Sequence, residues 1–247
     1  MLQCEGVRIQ QGGFEIGPLD CAVHPGRITA VVGPNAAGKS TLLNAMAGLM
    51  RPSAGCVRLH GRDVHQLGDR ARAESLAMLP QRPALDCALT IEQLVGLGRL
   101  RLARHGSRVG DAIASCGLSQ VRRRGVDSLS VGQAQRAHVA RVLAQAGPET
   151  VLVMDEPTAP MDHTWAARTW DLLAAHARGG GGVLVAVHDL AVAADRADDA
   201  LLLGGGQLAA AGPVAEVLQP EALQAVFGAS FEWAARADGS PWLVPSG

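Results

Sequence analysis

The residues with the clearest chemistry form a glycine-rich segment that contains the only lysine of the chain. The segment fits the pattern G-x4-G-K-S/T, and its members are Gly33, Pro34, Asn35, Ala36, Ala37, Gly38, Lys39, Ser40 and Thr41. In such a loop, backbone N–H groups surround a β-phosphate at the start of a helix, which already favours anions. Lys39 would reach the β- and γ-phosphates, and the Ser40 hydroxyl would bind Mg²⁺. The segment therefore predicts a nucleoside triphosphate site, and a chance glycine-rich turn is the alternative.

Two acidic residues, Asp155 and Glu156, follow an apolar run at 151–154. The run predicts a buried strand that ends at the two acids. A phosphate-binding loop needs a carboxylate on a neighbouring strand to position magnesium, which suits Asp155. Glu156 could accept a proton from an attacking water as a general base. Alone, the run would more simply be a strand ending in a solvated acidic turn, but its combination with the glycine-rich loop favours catalysis.

The charge balance limits the function classes. Lys39 is the one lysine among 22 basic residues, and a GC-rich genome explains the arginine bias most simply. Because arginine could replace lysine wherever only charge mattered, the retained lysine indicates a tight pocket for a compact ammonium. The basic residues are balanced by 23 acidic ones, and a net charge of −1 argues against nucleic acid as a partner.

The cysteines and the apolar runs predict a soluble cytoplasmic chain. Five cysteines lie at least 17 positions apart, so they form neither a zinc pattern nor a disulfide framework. No apolar run approaches the roughly 18 residues that a membrane helix needs. The first residues also lack the features of a secretory signal.

Strand and helix patterns alternate around the chemical residues. A β-branched run at 27–32 ends at the glycine-rich segment, and 40–49 carry apolar residues at helical spacing. The other predicted strands are 7–10, 19–23, 56–59, 77–80, 151–154, 183–187 and 200–203, and the other predicted helices are 91–102, 110–116, 131–146, 164–178 and 220–227. The alternation implies an α/β fold with a parallel sheet, into which the helix-rich block at 90–146 is inserted. The last 20 residues carry no interpretable pattern.

A third motif lies at the start of the predicted helix 131–146. It reads LSVGQ and contains Ser130, Val131, Gly132 and Gln133. On its own it would be an ordinary serine N-cap. Two polar residues also follow predicted strands, Gln81 after 77–80 and His188 after 183–187. In order and spacing, these motifs together resemble the ATP-binding-cassette (ABC) ATPases along almost the whole chain.

The resemblance implies a P-loop NTPase (RecA-like) core with a parallel sheet, an N-terminal antiparallel β portion and an inserted α-helical subdomain. Residues 1–247 would form a single nucleotide-binding domain. The ATPase core with its β portion would take up about 1–85 and 147–210, the helical signature subdomain about 86–146, and a C-terminal extension 211–247.

The resemblance also implies ATP and Mg²⁺ as ligands, with ATP hydrolysed to ADP and phosphate. The catalytic residues would be Glu156, His188 and Gln81, and the metal would be held by Ser40, Gln81 and Asp155. The signature residues Ser130, Val131, Gly132 and Gln133 would close on the γ-phosphate bound by a second copy. Asp162 matches the loop that contacts the opposite protomer. The active form would therefore be a head-to-tail homodimer.

Three positions depart from the family's pattern. Ala36 stands where the middle glycine of the loop is usual, and its methyl group is tolerable only with a negative φ. Val131 replaces the first signature glycine. No aromatic residue occupies the expected adenine-stacking position near Gln10 or Gln11, and Phe14 is the only aromatic nearby. We expect ATP hydrolysis with a loosely held adenine.

A finer resemblance is to importers of iron-siderophores, haem and cobalamin. Residues 90–99, TIEQLVGLGR, and 212–218, GPVAEVL, match segments of that subgroup. It implies transmembrane permease subunits that dock near Gln81 and residues 83–89, an external substrate-binding protein, and a place on the cytoplasmic face of a bacterial inner membrane. An iron(III)-siderophore complex is the first expectation for the cargo, and haem and cobalamin are the alternatives.

Other function classes fit the sequence less well. A soluble ABC ATPase of DNA repair or translation would be expected to carry a coiled-coil insertion, a zinc hook or a tandem cassette. A P-loop kinase would make LSVGQ and His188 accidental, and a regulatory GTPase needs an N-K-x-D motif, whereas Lys39 follows Gly38. A degenerate cassette that only binds would not need intact Lys39, Asp155 and Glu156.

Overall fold

Strands and helices alternate along most of the chain. The computed structural model describes residues 1–83, 88–102, 106–236 and 241–246. Within these residues the strands are β1 Leu2–Gln11, β2 Phe14–Val23, β3 Ile28–Val32, β4 Ala54–Leu59, β5 Arg62–Asp63, β6 Leu76–Leu79, β7 Val151–Asp155, β8 Gly182–Ala186, β9 Asp199–Gly204, β10 Gln207–Pro213, β11 Phe231–Ala235 and β12 Pro241–Pro245. The helices are α1 Lys39–Met46, α2 Asp69–Ser75, α3 Ile91–Leu97, α4 Gly106–Ser115, α5 Val131–Gln145, α6 His163–Arg178, α7 Leu190–Arg196, α8 Val214–Val217 and α9 Pro220–Phe227.

The central sheet carries the strands that end at the site. Its order is β10-β9-β3-β8-β7-β6. The strands β9, β3, β8, β7 and β6 run parallel, and β10 pairs antiparallel with β9. β3, β7 and β8 are buried along their whole length, which explains their continuous apolar runs. This sheet confirms the predicted α/β fold class.

The acidic strand is not the direct neighbour of the strand before the glycine-rich loop. Strand β8 lies between β3 and β7. Ala30 of β3 pairs with Val185 of β8, and Val153 of β7 pairs with Leu184 of β8. Because the three strands are parallel, their carboxyl ends still meet at one edge of the sheet.

Successive residues of the buried strands face two separate hydrophobic cores. Val32 and Met154 belong to the core that contains residues of α5 and α6, whereas Val31 and Val153 belong to the core that contains residues of α1 and of a second sheet. The second sheet has the order β2-β1-β4-β5 and is antiparallel. Because successive side chains of a strand point to opposite faces, β3 and β7 are packed against a hydrophobic core on both faces.

The helices α3, α4 and α5 pack against one another between β6 and β7 in the chain. Two polar side chains fasten α5 to β6 at the edge of the central sheet. Arg141 Nη2 donates to the Met78 carbonyl oxygen at 3.1 Å, and Gln145 Nε2 donates to the Leu76 carbonyl oxygen at 2.8 Å. These three helices, α3, α4 and α5, are called the helical group below. The helical group is thus linked to the strand that precedes Gln81.

Several elements differ from the sequence expectation. The predicted helix 91–102 ends at Leu97, before a glycine. The elements α2, α7 and β10 are not predicted, and β10 reads QLAAAGP, with little hydrophobic alternation. The last residues form the hairpin β11–β12. Next to it, the Arg236 guanidinium lies 3.9 Å from the ring centroid of Trp242 and pairs with Asp195 of α7 at 2.7 Å.

Among the described residues, we find no helix with both the length and the apolar character of a membrane span.

Candidate functional site

The glycine-rich loop turns sharply between β3 and α1. Gly33 has a φ of 155°, and a Cβ there would lie 2.3 Å from the Leu203 carbonyl oxygen. Gly38 has a φ of 100°, and a Cβ there would lie 2.4 Å from Ile16 Cδ1. α1 begins directly after Gly38, so the first N–H groups of the helix are available to an anion in the loop.

Ala36 adopts a left-handed backbone, with a φ of 61°. The condition that the sequence analysis sets for the methyl group, a negative φ, is therefore not met. A left-handed conformation costs a non-glycine residue about 1–2 kcal/mol. The next residue closes the turn, because the Ala37 N–H donates to the Pro34 carbonyl oxygen at 3.2 Å. The loop thus keeps the glycine-like backbone despite the methyl group.

Lys39 points back into the loop that precedes it. Its side chain is buried, and Nζ donates to the Gly33 carbonyl oxygen at 2.7 Å and to the Pro34 carbonyl oxygen at 3.0 Å. Burial lowers the pKa of Lys39, and the charges of Glu156 and Asp155 act in the opposite direction. The ammonium is therefore held by carbonyl oxygens that phosphate oxygens can replace.

Asp155 is the last residue of β7 and is only 2% exposed. Burial raises its pKa, and a hydrogen bond with the Ser40 side chain lowers it. Its Oδ1 atom has no hydrogen-bond partner in the part of the chain that the structure describes. A buried carboxylate oxygen without a partner, next to a hydroxyl group, fits Mg²⁺, which completes its coordination with phosphate oxygens and water.

Glu156 lies where three strands end, with Gln81 after β6 and His188 after β8. Its Oε1 atom accepts a hydrogen bond from Gln81 Nε2 at 2.9 Å and lies 2.5 Å from His188 Nε2. Glu156 has a φ of 50°, and its backbone N–H donates to the Ala186 carbonyl oxygen at 3.1 Å. Backbone strain of this kind is concentrated at functional positions. The three predicted catalytic residues are therefore in direct contact, and the Gln81 amide oxygen is the atom left for a metal.

The loop and the catalytic residues share one pocket with a volume of about 220 Å³. Its lining residues are Phe14, Asn35, Ala36, Ala37, Gly38, Lys39, Ser40, Thr41, Gln81, Glu156 and His188. Phe14, at the start of β2, is partly exposed and is the aromatic surface among these residues. Gln11 Oε1 accepts a hydrogen bond from Thr41 Oγ1 at 3.1 Å, which ties the end of β1 to α1.

The signature residues are not part of this pocket. Ser130 is the N-cap of α5, where its Oγ accepts from the Gln133 N–H at 3.2 Å and its own N–H donates to Gln133 Oε1 at 3.1 Å. Val131 exposes 73% of its surface. Asp162 also lies outside the pocket. It is the N-cap of α6, where its side chain accepts a hydrogen bond from the Trp165 N–H at 3.0 Å. Among the described residues, the chain thus forms a phosphate pocket without its predicted signature.

Two contacts near these loops are not predicted from the sequence. Gln135 is only 7% exposed and donates to the Pro157 carbonyl oxygen, and Arg136 stacks on Trp165. From the sequence alone, a glutamine or an arginine on an amphipathic helix is expected to lie on the solvated face. The nearest sequence signal was the position of both residues just after LSVGQ.

Comparison with known proteins identifies the family. The profile of the ABC transporter family matches residues 16–159. The hemin import ATP-binding protein HmuV of Pseudomonas entomophila is 42% identical over 236 residues, which cover 92% of this chain and 92% of that protein. The cobalamin import ATP-binding protein BtuD of Halobacterium salinarum is 37% identical over 239 residues, which cover 92% of this chain and 59% of that protein.

A solved structure described as a metal-chelate type ABC transporter, in an inward-facing conformation, shares the fold. The TM-score is 0.81 at 24% sequence identity, and the likeness covers 100% of this chain and 97% of that one. Together, the family match, the sequence relatives and the pocket lead to one conclusion. The chain belongs to the ABC transporter family and is one of its ATPases.

Proposed function

We propose that two copies of this chain bind two molecules of Mg-ATP head to tail and hydrolyse them to power a membrane importer. The observation that carries the proposal is the division of the site between a pocket around Lys39 and Glu156 and a separate signature at 130–133. The signature starts a helix, and the exposed Val131 lies at its tip. An exposed helix N-terminus suits the γ-phosphate bound by a second copy. Two equal sites then form about one twofold axis.

Hydrolysis at each site follows from the contacts of the pocket. Lys39 exchanges the carbonyl oxygens of its own loop for phosphate oxygens. Ser40 and Asp155 would hold Mg²⁺, which neutralises charge on the phosphates when it is bound. Glu156 takes a proton from the water that attacks the γ-phosphorus, and the bond to the bridging oxygen breaks to release ADP and phosphate. His188 donates a hydrogen bond to the γ-phosphate.

A groove between the sheet edge and the helical group fits a helix of the permease. Its volume is about 470 Å³, and its lining residues are Ala47, Leu49, Asp69, Arg72, Ala73, Leu76, Met78, Pro80, Arg101, Arg141 and Gln145. Leu49 is 66% exposed, although it is a large apolar side chain. Pro80 directly precedes Gln81, so a helix in the groove contacts the segment that positions a catalytic residue. The expected docking loop 83–89 includes residues 84–87, which lie outside the described residues.

Haem is the first candidate for the cargo. The support is the 42% identity to a hemin import ATP-binding protein along nearly the whole chain. An iron(III)-siderophore complex, which the sequence pattern ranks first, and cobalamin are the alternatives, and a cobalamin import relative is 37% identical. An external binding protein would deliver the cargo to the permease, and this chain would act from the cytoplasmic face of the membrane.

The test uses the chain together with the permease that co-purifies with it and an external binding protein, reconstituted in lipid vesicles. ATP-driven uptake is compared for haem, a ferric siderophore and cobalamin. Uptake of haem, with the uptake of the other two compounds at background, supports the proposal. If only the siderophore complex or only cobalamin is taken up, that compound is the cargo and haem is not. The importer role is contradicted if ATP stimulates no uptake.

A docking variant tests the groove. Leu49→Asp should prevent co-purification with the permease and leave the ATPase activity of the free chain unchanged. Leu100→Asp is the matched control, because Leu100 is 75% exposed and is not among the residues that line the groove. If Leu49→Asp still co-purifies with the permease, the groove is not the docking site.

A further inference from the structure

The signature helix α5 contacts the segment that follows the acidic strand. Gln135 Nε2 donates to the Pro157 carbonyl oxygen at 3.2 Å. Gly132 approaches the same segment so closely that a Cβ there would lie 3.1 Å from the Pro160 carbonyl oxygen. The signature and the segment that leads to the Asp162 loop are therefore adjacent in one chain.

A third contact joins α5 to α6, the helix that Asp162 caps. Trp165 lies in the first turn of α6. The guanidinium carbon of Arg136, on α5, lies 4.0 Å from the centroid of the indole ring, and that of Arg168, on α6, lies 5.3 Å from it. Both distances are within the range of a cation–π interaction, and the Arg136 contact is the closer one.

The indole ring of Trp165 also contacts the turn that follows α4 in the helical group. Gly117, in the turn after α4, has a φ of 65°, and a Cβ there would lie 1.9 Å from Trp165 Cη2. Arg136 Nη1 donates to the carbonyl oxygen of the preceding residue, Cys116, at 2.9 Å. The indole ring therefore reaches from α6 into the helical group and touches both α5 and the turn after α4.

We infer that Trp165 is a positioning residue, which holds the signature helix in a fixed orientation relative to the Asp162 loop. This inference rests on the proposed head-to-tail dimer, in which both features face the second copy. A rotation of the helical group would separate them, so that only one could reach the partner's nucleotide. The contacts of Trp165 with Arg136 and Gly117 oppose that rotation. Trp165 itself does not line the nucleotide pocket.

The test measures dimer formation in a Glu156→Gln background, in which bound ATP is not consumed. Trp165→Leu should raise the chain concentration for half-maximal ATP-driven dimerisation about tenfold. It should also speed the hydrogen exchange of amides 130–136 in the monomer several-fold, and leave the monomer's affinity for ATP unchanged. Trp242→Leu is the matched control, since it removes a ring stacked on Arg236 at 3.9 Å in the C-terminal hairpin, and it should change none of these values.

Two further variants separate positioning from packing. Arg136→Met keeps the aliphatic stem and removes the charge, and it should reproduce much of the Trp165→Leu effect. Trp165→Phe keeps an aromatic face and should recover part of the dimerisation. Unchanged dimerisation and exchange in both Trp165→Leu and Arg136→Met would overturn the inference, as would an equal effect of Trp242→Leu.

Val131→Asp distinguishes this inference from the proposed function. Val131 is exposed, so the substitution spares the fold and places a negative charge opposite the partner's γ-phosphate. If Val131→Asp leaves ATP-driven dimerisation intact, the head-to-tail arrangement fails, and the inference fails with it. If Val131→Asp blocks dimerisation and Trp165→Leu does not weaken it, only the positioning role fails.

Discussion

His188 Nε2 lies 2.5 Å from Glu156 Oε1. The two side chains are therefore in direct contact at the edge of the central sheet. Gln81 donates to the same oxygen, so side chains from two flanking loops contact the proposed base. A γ-phosphate that draws His188 towards itself would free the oxygen for the attacking water. Hydrolysis would then depend on the nucleotide being in place.

The contacts of Lys39 predict that a positive charge alone at this position is not sufficient for ATP binding. Lys39→Arg should weaken ATP binding about tenfold or more, because a planar guanidinium does not fit where Nζ lies within 3.0 Å of two loop carbonyl oxygens. Equilibrium titration calorimetry measures the affinity. Arg70→Lys, on the surface of α2, is the control and should bind ATP normally. Unchanged affinity in Lys39→Arg would show that only charge matters at this position.

The left-handed backbone of Ala36 predicts a stabilising substitution. Ala36→Gly should raise the free energy of unfolding by about 0.5–1 kcal/mol, because the steric cost that glycine removes exceeds the stability lost through the extra entropy of the unfolded chain. Urea unfolding measures the change. Ala37→Gly is the control, because Ala37 is buried and is not among the residues with positive φ, and it should be destabilising. A loss of stability in Ala36→Gly would contradict the strained loop.

The position of Phe14 predicts weak discrimination between purines. An aromatic ring offers a face to either base and no hydrogen bond that distinguishes them, so ATP and GTP should be hydrolysed at comparable rates. Phe14→Ala should raise the KM for both nucleotides about fivefold. Phosphate release at varied nucleotide concentration gives both values. A strong preference for ATP would show that another group reads the base.

The buried His138 predicts a loss of stability in mild acid. Burial lowers its pKa from 6.5 to about 4, and the charge of Arg141 adds to this. Below pH 6.5 the unfolded chain takes up a proton that the folded chain refuses, so the free energy of unfolding falls until about pH 4. His138→Leu should reduce the loss between pH 7 and pH 5 by about 2 kcal/mol, measured by urea unfolding at both pH values. An unchanged loss in His138→Leu would contradict the neutral buried histidine.

The local parts of the site could be predicted from the sequence. The run before Gly33, the loop and the helix after Lys39 are contiguous, so their pattern identifies β3 and α1 to within one to three residues at each end. Asp155 and Glu156 follow from the same reasoning, because an apolar strand that ends in two acids is visible in a single segment.

The non-local parts could not be predicted in the same way. β7 and β8 are equally apolar, so nothing in either strand shows that β8 is the one beside β3. An alanine carries no signal for the left-handed backbone of Ala36, which the surrounding loop imposes. The contact of Trp165 with Arg136 exists only after α5 and α6 have packed together.

The most direct test of the central claim is a mixing experiment on ATP hydrolysis. Glu156→Gln lacks the base and keeps its signature, whereas Val131→Asp keeps the base and has a damaged signature, and each variant alone should be inactive. In a mixed head-to-tail dimer, one site joins the intact pocket of one chain to the intact signature of the other. Equal amounts of the two variants should therefore regain up to about one quarter of the unmodified rate, because half of the dimers are mixed and each has one working site. If the mixture never exceeds the two separate activities, each chain completes its own site and the head-to-tail dimer is contradicted.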